Sequence, residues 1–331
     1  MGIVKDTLFK VSNKKFLPIF NKQTIFPYYH IVRDNQVAHI ENLYEFKNCS
    51  QFISDLNLLT KIYKPLIPKD VLENKISNNS FLLSFDDGLQ EVYTIIYPIL
   101  KEKNIKAIFF INPNFVDNNE GLYKHYISII ITYLKNNGFE KDTLDKISDK
   151  FSFTYNSVTE FKQKFINIKF TEREKVNDVL NFLNINIEDY LKTHKLYITK
   201  EQIQEMMNDG FYFGGHTMSH PYLDKLSHEE QKAEIINSID WLKHNFDINY
   251  SLFAFPFSDK SISKKLLEEL LEYDGNIKIF GNSGLKKDID FRIIQRFSLE
   301  NPNKQIDKTI VEENLYKYFN KVIGKYHIKR K

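Results

Sequence analysis

Short apolar runs alternate along this chain with longer stretches in which apolar residues recur at helical spacing. The run Ile25-Phe-Pro-Tyr-Tyr-His-Ile-Val32 predicts a first strand that ends near a histidine. Between residues 46 and 63, Phe46, Phe52, Ile53, Leu56, Leu59 and Tyr63 fall on one helical face. Phe81-Leu-Leu-Ser-Phe85 predicts a buried strand stopped by Asp86-Asp87-Gly88. From about Gln90 to Lys103 a helix places Val92, Ile95, Ile96, Ile99 and Leu100 together, and Lys106-Ala-Ile-Phe-Phe-Ile-Asn-Pro113 is the next strand, closed by proline. Strand, helix, strand in that order is a βαβ unit, which demands a parallel sheet.

From about 117 to 195 helical periodicity dominates, as in Leu122, Tyr126, Ile129, Ile130, Tyr133 and Leu134, and again from Val176 to Phe182. This stretch reads as a helical insertion into one α/β domain spanning 1–331. The alternation then resumes. A helix over 199–209 starts at Thr199, Phe211-Tyr-Phe-Gly-Gly215 is a strand leading into His216, and a helix over 227–245 starts at Ser227 with Glu230 completing a capping box. Leu252-Phe-Ala-Phe255, Ile277-Lys-Ile-Phe280 and Ile293 to Phe297 finish the set of strands.

Composition narrows the function classes. Apolar residues make up 42% of the 331 residues, enough for a sizeable core. The net charge, 46 − 43 = +3, is too mild for a nucleic-acid binder, and the basic tail Lys325-Tyr-His-Ile-Lys-Arg-Lys331 reads as a solvated terminus. Cys49 is the single cysteine, so neither an intramolecular disulfide nor a cysteine zinc site is available. Met1 to Phe20 contains no continuous apolar segment of the signal-peptide kind, and Asp6 stands where myristoylation after Gly2 needs Ser or Thr. No stretch approaches the ~18 apolar residues of an integral membrane span. These features lead to the expectation of a cytoplasmic protein; they do not address its oligomeric state.

Three predicted strand ends carry residues that chemistry uses: Asp86-Asp87, His216/His220 and Pro256-Phe257-Ser258. In parallel α/β folds such ends converge on one rim. Adjacent carboxylates repel, and a divalent cation relieves this by taking one as ligand while the other serves as base. An ordinary Asp-Gly turn with Asp86 capping the next helix is the competing reading. In His216-Thr-Met-Ser-His220, a helical turn would put both imidazoles on one face, within reach of one metal, with Gly214 and Gly215 allowing a tight bend before it. Two imidazoles and a carboxylate suit Zn²⁺ with an open position for water and tolerate other first-row metals. The same set serves non-haem iron oxygenases, which commonly use all-β frameworks. His125 falls on an apolar insertion helix and reads as structural.

Ser84-Phe-Asp-Asp-Gly88, His216-Thr-Met-Ser-His220 and Phe253-Ala-Phe-Pro-Phe257 resemble the first three motifs of the polysaccharide deacetylase family, the NodB-homology or carbohydrate esterase family 4 group. The resemblance runs from about Tyr28 to Glu300, interrupted by the insertion. It implies a distorted (β/α) barrel and metal-dependent removal of acetyl groups from amino sugars. It also implies roles: Asp86 as general base, Asp87, His216 and His220 as ligands of one divalent metal, and the Phe257 backbone N–H as an oxyanion donor. No organic cofactor is implied, and the expected partner is a carbohydrate.

The chain departs from the family twice. The third motif's arginine is missing between Tyr250 and Ser258, and Arg296 is the candidate replacement. The late Leu-x-His acid is also missing, since 270–300 contains no histidine. Tyr28-Tyr-His-Ile-Val32 resembles the Tyr-His-x-Val segment of the poly-N-acetylglucosamine deacetylase subgroup, which makes His30 the candidate acid. The expected function is N-deacetylation of an amino-sugar glycan or glycan precursor. Another amide or ester hydrolase on the same scaffold, or an inactive carbohydrate-binding relative, stays open.

Overall fold

The protein is described by a computed structural model covering residues 7–8, 10, 12–20 and 23–331. The expectation at Gly2 and Asp6 lies outside the described residues. Eight parallel strands form the main sheet: β1 (Pro27–Tyr29), β2 (Leu83–Phe85), β3 (Ala107–Ile111), β4 (Tyr212–Gly215), β5 (Leu252–Ala254), β6 (Lys278–Gly281), β7 (Ile293–Gln295) and β8 (Phe297–Ser298). Their order is β8-β1-β2-β3-β4-β5-β6-β7. Only Arg296 separates β7 from β8, yet β7 pairs with β6 while β8 pairs with β1. One run of chain therefore bridges both edges, and the sheet curls into the nearly closed, distorted (β/α) barrel that the resemblance implies.

Strands this short hold because most of their residues are buried, and β2, β3, β5, β6 and β7 are buried on both faces. In register across four neighbours, Tyr29, Phe85, Phe109 and Phe213 form an aromatic ladder with centroids 5.9, 5.2 and 5.4 Å apart. Offset stacking of this kind adds about 0.5–1.5 kcal/mol per pair beyond the area buried. The ladder meets the outer helices through Phe52, Leu56, Val92, Ile96 and Leu100. The alternate residues Ile108, Phe110, Leu252, Ala254, Phe280 and Ile294 pack together in a separate cluster.

Helices α1 (Cys49–Ile62), α2 (Tyr97–Glu102), α8 (Lys200–Asn208), α9 (His228–Asn245) and α10 (Lys264–Tyr273) flank the barrel, while α3 (Tyr123–Asn136), α4 (Lys141–Lys150), α5 (Val158–Ile166), α6 (Arg173–Phe182) and α7 (Ile187–His194) fill the stretch between β3 and β4. Capping boxes start α8 at Thr199 with Gln202 and α9 at Ser227 with Glu230. The helix expected from Gln90 opens instead as a π-helical turn, Val92–Ile96, ahead of α2. Pro98 has no N–H to offer Thr94, so the wider turn absorbs the missing bond. No helix among the described residues is long and apolar enough to cross a membrane.

Two further features depart from the sequence expectation. A final helix, α11 (Ile306–Val322), buries Ile306, Ile310 and Val311 in the main core. It also buries Glu312, Glu313 and Asn314, so its polar and apolar positions do not segregate and the periodicity is masked. The basic tail is not simply solvated. The Arg330 side chain, 1% exposed, forms ion pairs with Asp259 and Asp288, whose side chains are fully buried. A buried guanidinium is retained only with such partners.

Candidate active site

The C-terminal ends of β1, β2, β4 and β5 carry the site residues to one rim. After β2, Asp87 adopts φ +73° and Gly88 φ +65°, turning the chain sharply back. Aspartate tolerates this left-handed region better than most residues. After β4, His216 to His220 form no helical turn. Thr217 and His220 have φ +66° and +56°, and the loop is fixed by side chains. Glu234 accepts from the Met218 and Ser219 amides at 2.8 and 3.0 Å, while Asn112 Nδ2 donates to the carbonyls of His216 and Thr217. Gly214 and Gly215 serve close packing rather than a bend, since neither has a positive φ. A Cβ on Gly214 would sit 2.6 Å from Phe110, and one on Gly215 2.2 Å from Ser238 Oγ.

This loop brings both imidazoles to Asp87. His216 Nε2 lies 3.5 Å and His220 Nε2 3.2 Å from Asp87 Oδ1. The donor atoms of the three residues lie within 4.8 Å of one another, and all three are buried. A tetrahedral ion with ligand bonds of about 2.0–2.2 Å requires neighbouring donors about 3.3 Å apart, which the two distances to Asp87 Oδ1 meet. Asp87 Oδ1 has no hydrogen-bond partner among the described residues, as expected of an atom reserved for a cation. His216 Nδ1 bonds to the Ala254 carbonyl at 2.8 Å, which puts hydrogen on Nδ1 and leaves Nε2 free to ligate. The donor set fits a divalent metal. Burial works against ionisation of Asp87, but the facing His220 and His216 outweigh it and hold its carboxyl well below the usual range.

Asp86 points elsewhere. Arg296 Nη1 donates to Asp86 Oδ1 at 2.7 Å and Nη2 to Oδ2 at 2.9 Å, with Ser84 Oγ also accepting from Nη1 at 2.8 Å. The guanidinium is 1% exposed and lies 4.7 Å from the centre of the Tyr28 ring. Burial would raise the Asp86 pKa; Arg296 overrides it and keeps the carboxyl below its ordinary value. Asp86 thus pairs with an arginine instead of capping a helix, and Arg296 comes from the seam where the barrel closes.

His30, after β1, lines the same cavity. Its Nδ1 is 2.7 Å from Glu300 Oε2, and Glu300 Oε1 accepts from the His30 and Ile31 amides at 2.9 and 3.0 Å. Burial disfavours the imidazolium, but the Glu300 carboxylate prevails and the pKa rises to about 10. A cation at Asp87 would offset part of that rise. Glu300 was not legible as a site residue, although its place just after the last strand, in Phe297-Ser-Leu-Glu300, was a signal available in the sequence.

The cavity measures about 400 Å³ and is also lined by Tyr28, Tyr44, Tyr222, Phe257 and Asn282. Phe257 holds φ +52°, unusual for a bulky residue, and its ring stacks on Tyr222 at 3.9 Å and edges onto His220 at 4.5 Å. Leu122, Lys124, His125, Ile166 and Asn167 form another wall, so residues of the 117–195 stretch share a cavity with Asp87. His125, read as structural, is among them.

The sequence profile of the family described as "Polysaccharide deacetylase" matches residues 73–148 and 168–275, more than half of the chain. No curated protein matches. Among solved structures, the Streptococcus pyogenes deacetylase PplD in complex with acetate is 17% identical with TM-score 0.54, covering 89% of this chain and 97% of its own. IcaB from Ammonifex degensii is 15% identical with TM-score 0.51, covering 88% and 96%. A de-N-acetylase from Aggregatibacter actinomycetemcomitans is 16% identical with TM-score 0.52, covering 86% and 98%. At these identities the structures establish a shared fold, while the profile match carries the assignment: the chain belongs to the polysaccharide deacetylase family.

Proposed function

We propose that this protein removes N-acetyl groups from an amino-sugar glycan or glycan precursor by hydrolysis at a single divalent metal, Zn²⁺ for preference. The observation that carries the reading is the arrangement around one cavity: an Asp87/His216/His220 cluster, an arginine-held carboxylate and a carboxylate-held imidazole. The solved PplD deacetylase carries acetate, the product this reaction would release.

A cation held by Asp87, His216 and His220 would polarise the acetyl carbonyl and acidify the attacking water. Asp86 accepts the proton of that water. Its ion pair with Arg296 keeps it ionised and fixes both oxygens, so little reorganisation accompanies the transfer. The Phe257 N–H, which donates to no protein acceptor among the described residues, stabilises the developing oxyanion. His30, charged and oriented by Glu300, delivers a proton to the departing amine. Acetate and a free amino sugar result.

Acetate release from a set of N-acetylated glycans, beside non-sugar amides and esters, tests the reading. Turnover confined to the non-sugar compounds would assign the site to a different hydrolase.

A further inference from the structure

His125 is 1% exposed, yet it lines the cavity that holds Asp87 and His220. Its Nδ1 lies 2.6 Å from the Tyr197 hydroxyl. That hydroxyl accepts the Leu122 N–H at 2.9 Å, and its one hydrogen, which has no other protein acceptor among the described residues, goes to His125 Nδ1. The opposite arrangement would bury a phenolic hydrogen with no acceptor. Nδ1 therefore accepts, and the ring hydrogen sits on Nε2. Burial, ahead of all other causes, lowers the pKa of His125 to about 4, and a cation at Asp87 would push the same way. The ring is thus a neutral, one-hydrogen donor, and its Nε2 has no protein partner among the described residues.

Its placement is rigid. Asn118 clamps the Tyr197 backbone on both sides, accepting from its amide at 2.9 Å and donating to its carbonyl at 2.9 Å. Tyr197 also bridges to Leu89 in antiparallel fashion, and the Ile198 amide donates to Gly88 O at 3.1 Å. The turn that presents Asp87 and the segment that orients His125 are one hydrogen-bonded unit.

Building on the deacetylase reading, we propose that His125 is a substrate-binding residue whose Nε2–H donates to an oxygen of the sugar that bears the scissile acetamide. A donor-only group of fixed tautomer selects an acceptor there and rejects an ammonium. The ammonium that the released amine becomes on protonation therefore gains nothing from it.

The test uses the full chain carrying Asp86→Asn and loaded with Zn²⁺, which suppresses turnover, and a trimer of N-acetylglucosamine as probe. Nitrogen-15 NMR should show His125 protonated at Nε2 only, and the trimer should shift that resonance. By calorimetry, His125→Leu should weaken trimer binding by about tenfold, the scale of one lost hydrogen bond, and His125→Gln, whose amide reaches the same place, should restore most of it. A hydrogen on Nδ1, or equal affinity in the Leu and parent proteins, would overturn the proposal. Trimer binding by the wild-type chain with no acetate release would overturn the deacetylase reading instead, and the affinity comparison would still decide the role of His125.

Discussion

Arg296 grips both carboxylate oxygens of Asp86, at 2.7 and 2.9 Å, across 210 positions of sequence. The guanidinium reaches the carboxylate because Arg296 is the single residue between β7 and β8, where the barrel closes onto β1. The contact that closes the barrel is thus also the one that holds Asp86 charged.

Replacing Arg296 by Gln should retain metal but lower kcat/KM by about 10- to 100-fold near neutral pH. The sign of the pH effect follows from the pair. Arg296 lowers the Asp86 pKa and the base works ionised, so its loss raises that pKa and moves the acid limb of kcat/KM to higher pH. A pH-rate profile with an unmoved acid limb would detach Arg296 from the base.

The alkaline limb should report His30. Glu300 raises the His30 pKa, and the acid works protonated, so Glu300→Gln should shift the alkaline limb to lower pH. His30→Ala should leave metal content unchanged and reduce kcat by about 10²-fold or more, with a smaller loss for substrates whose leaving group needs no proton. An equal loss for both kinds of substrate would argue against His30 as the acid.

The packing at the end of β4 predicts a stability effect. In Gly214→Ala the added methyl would meet Phe110 at 2.6 Å and the Leu252 Cβ at 2.8 Å. Overpacking of this kind costs about 1–3 kcal/mol. Urea unfolding should show a loss in that range, together with weaker metal retention because the strand leads directly into His216. An undiminished midpoint would mean the barrel interior yields more easily than its packing indicates.

What the sequence made legible depended on how local each feature was. The strand ends at Asp86-Asp87 and His216, and the caps at Thr199 and Ser227, are written in contiguous residues and could be read directly. The geometry joining His216 to His220 could not. Two left-handed residues and the distant Glu234 shape that loop, and a four-residue spacing resembles a helical turn whatever the backbone does. The two glycines had a reason other than bending, because the side chains that crowd them come from Phe110 and Ser238 elsewhere in the fold. Arg296 and His30 were reachable as the residues left over when the expected arginine and histidine were missing. Glu300 and His125 were not, because each matters through a partner, His30 or Tyr197, that only the folded chain supplies.

The most direct measurement of the central claim is acetate release from an N-acetylglucosamine oligomer by one enzyme preparation, before chelation, after removal of its metal and after return of Zn²⁺. The account predicts release by the metal-loaded protein, its loss on chelation and its recovery with about one equivalent of Zn²⁺ per chain. Release that persists at full rate in the metal-free protein, or a His216→Ala/His220→Ala double variant that still carries one equivalent of metal and still releases acetate, would contradict it.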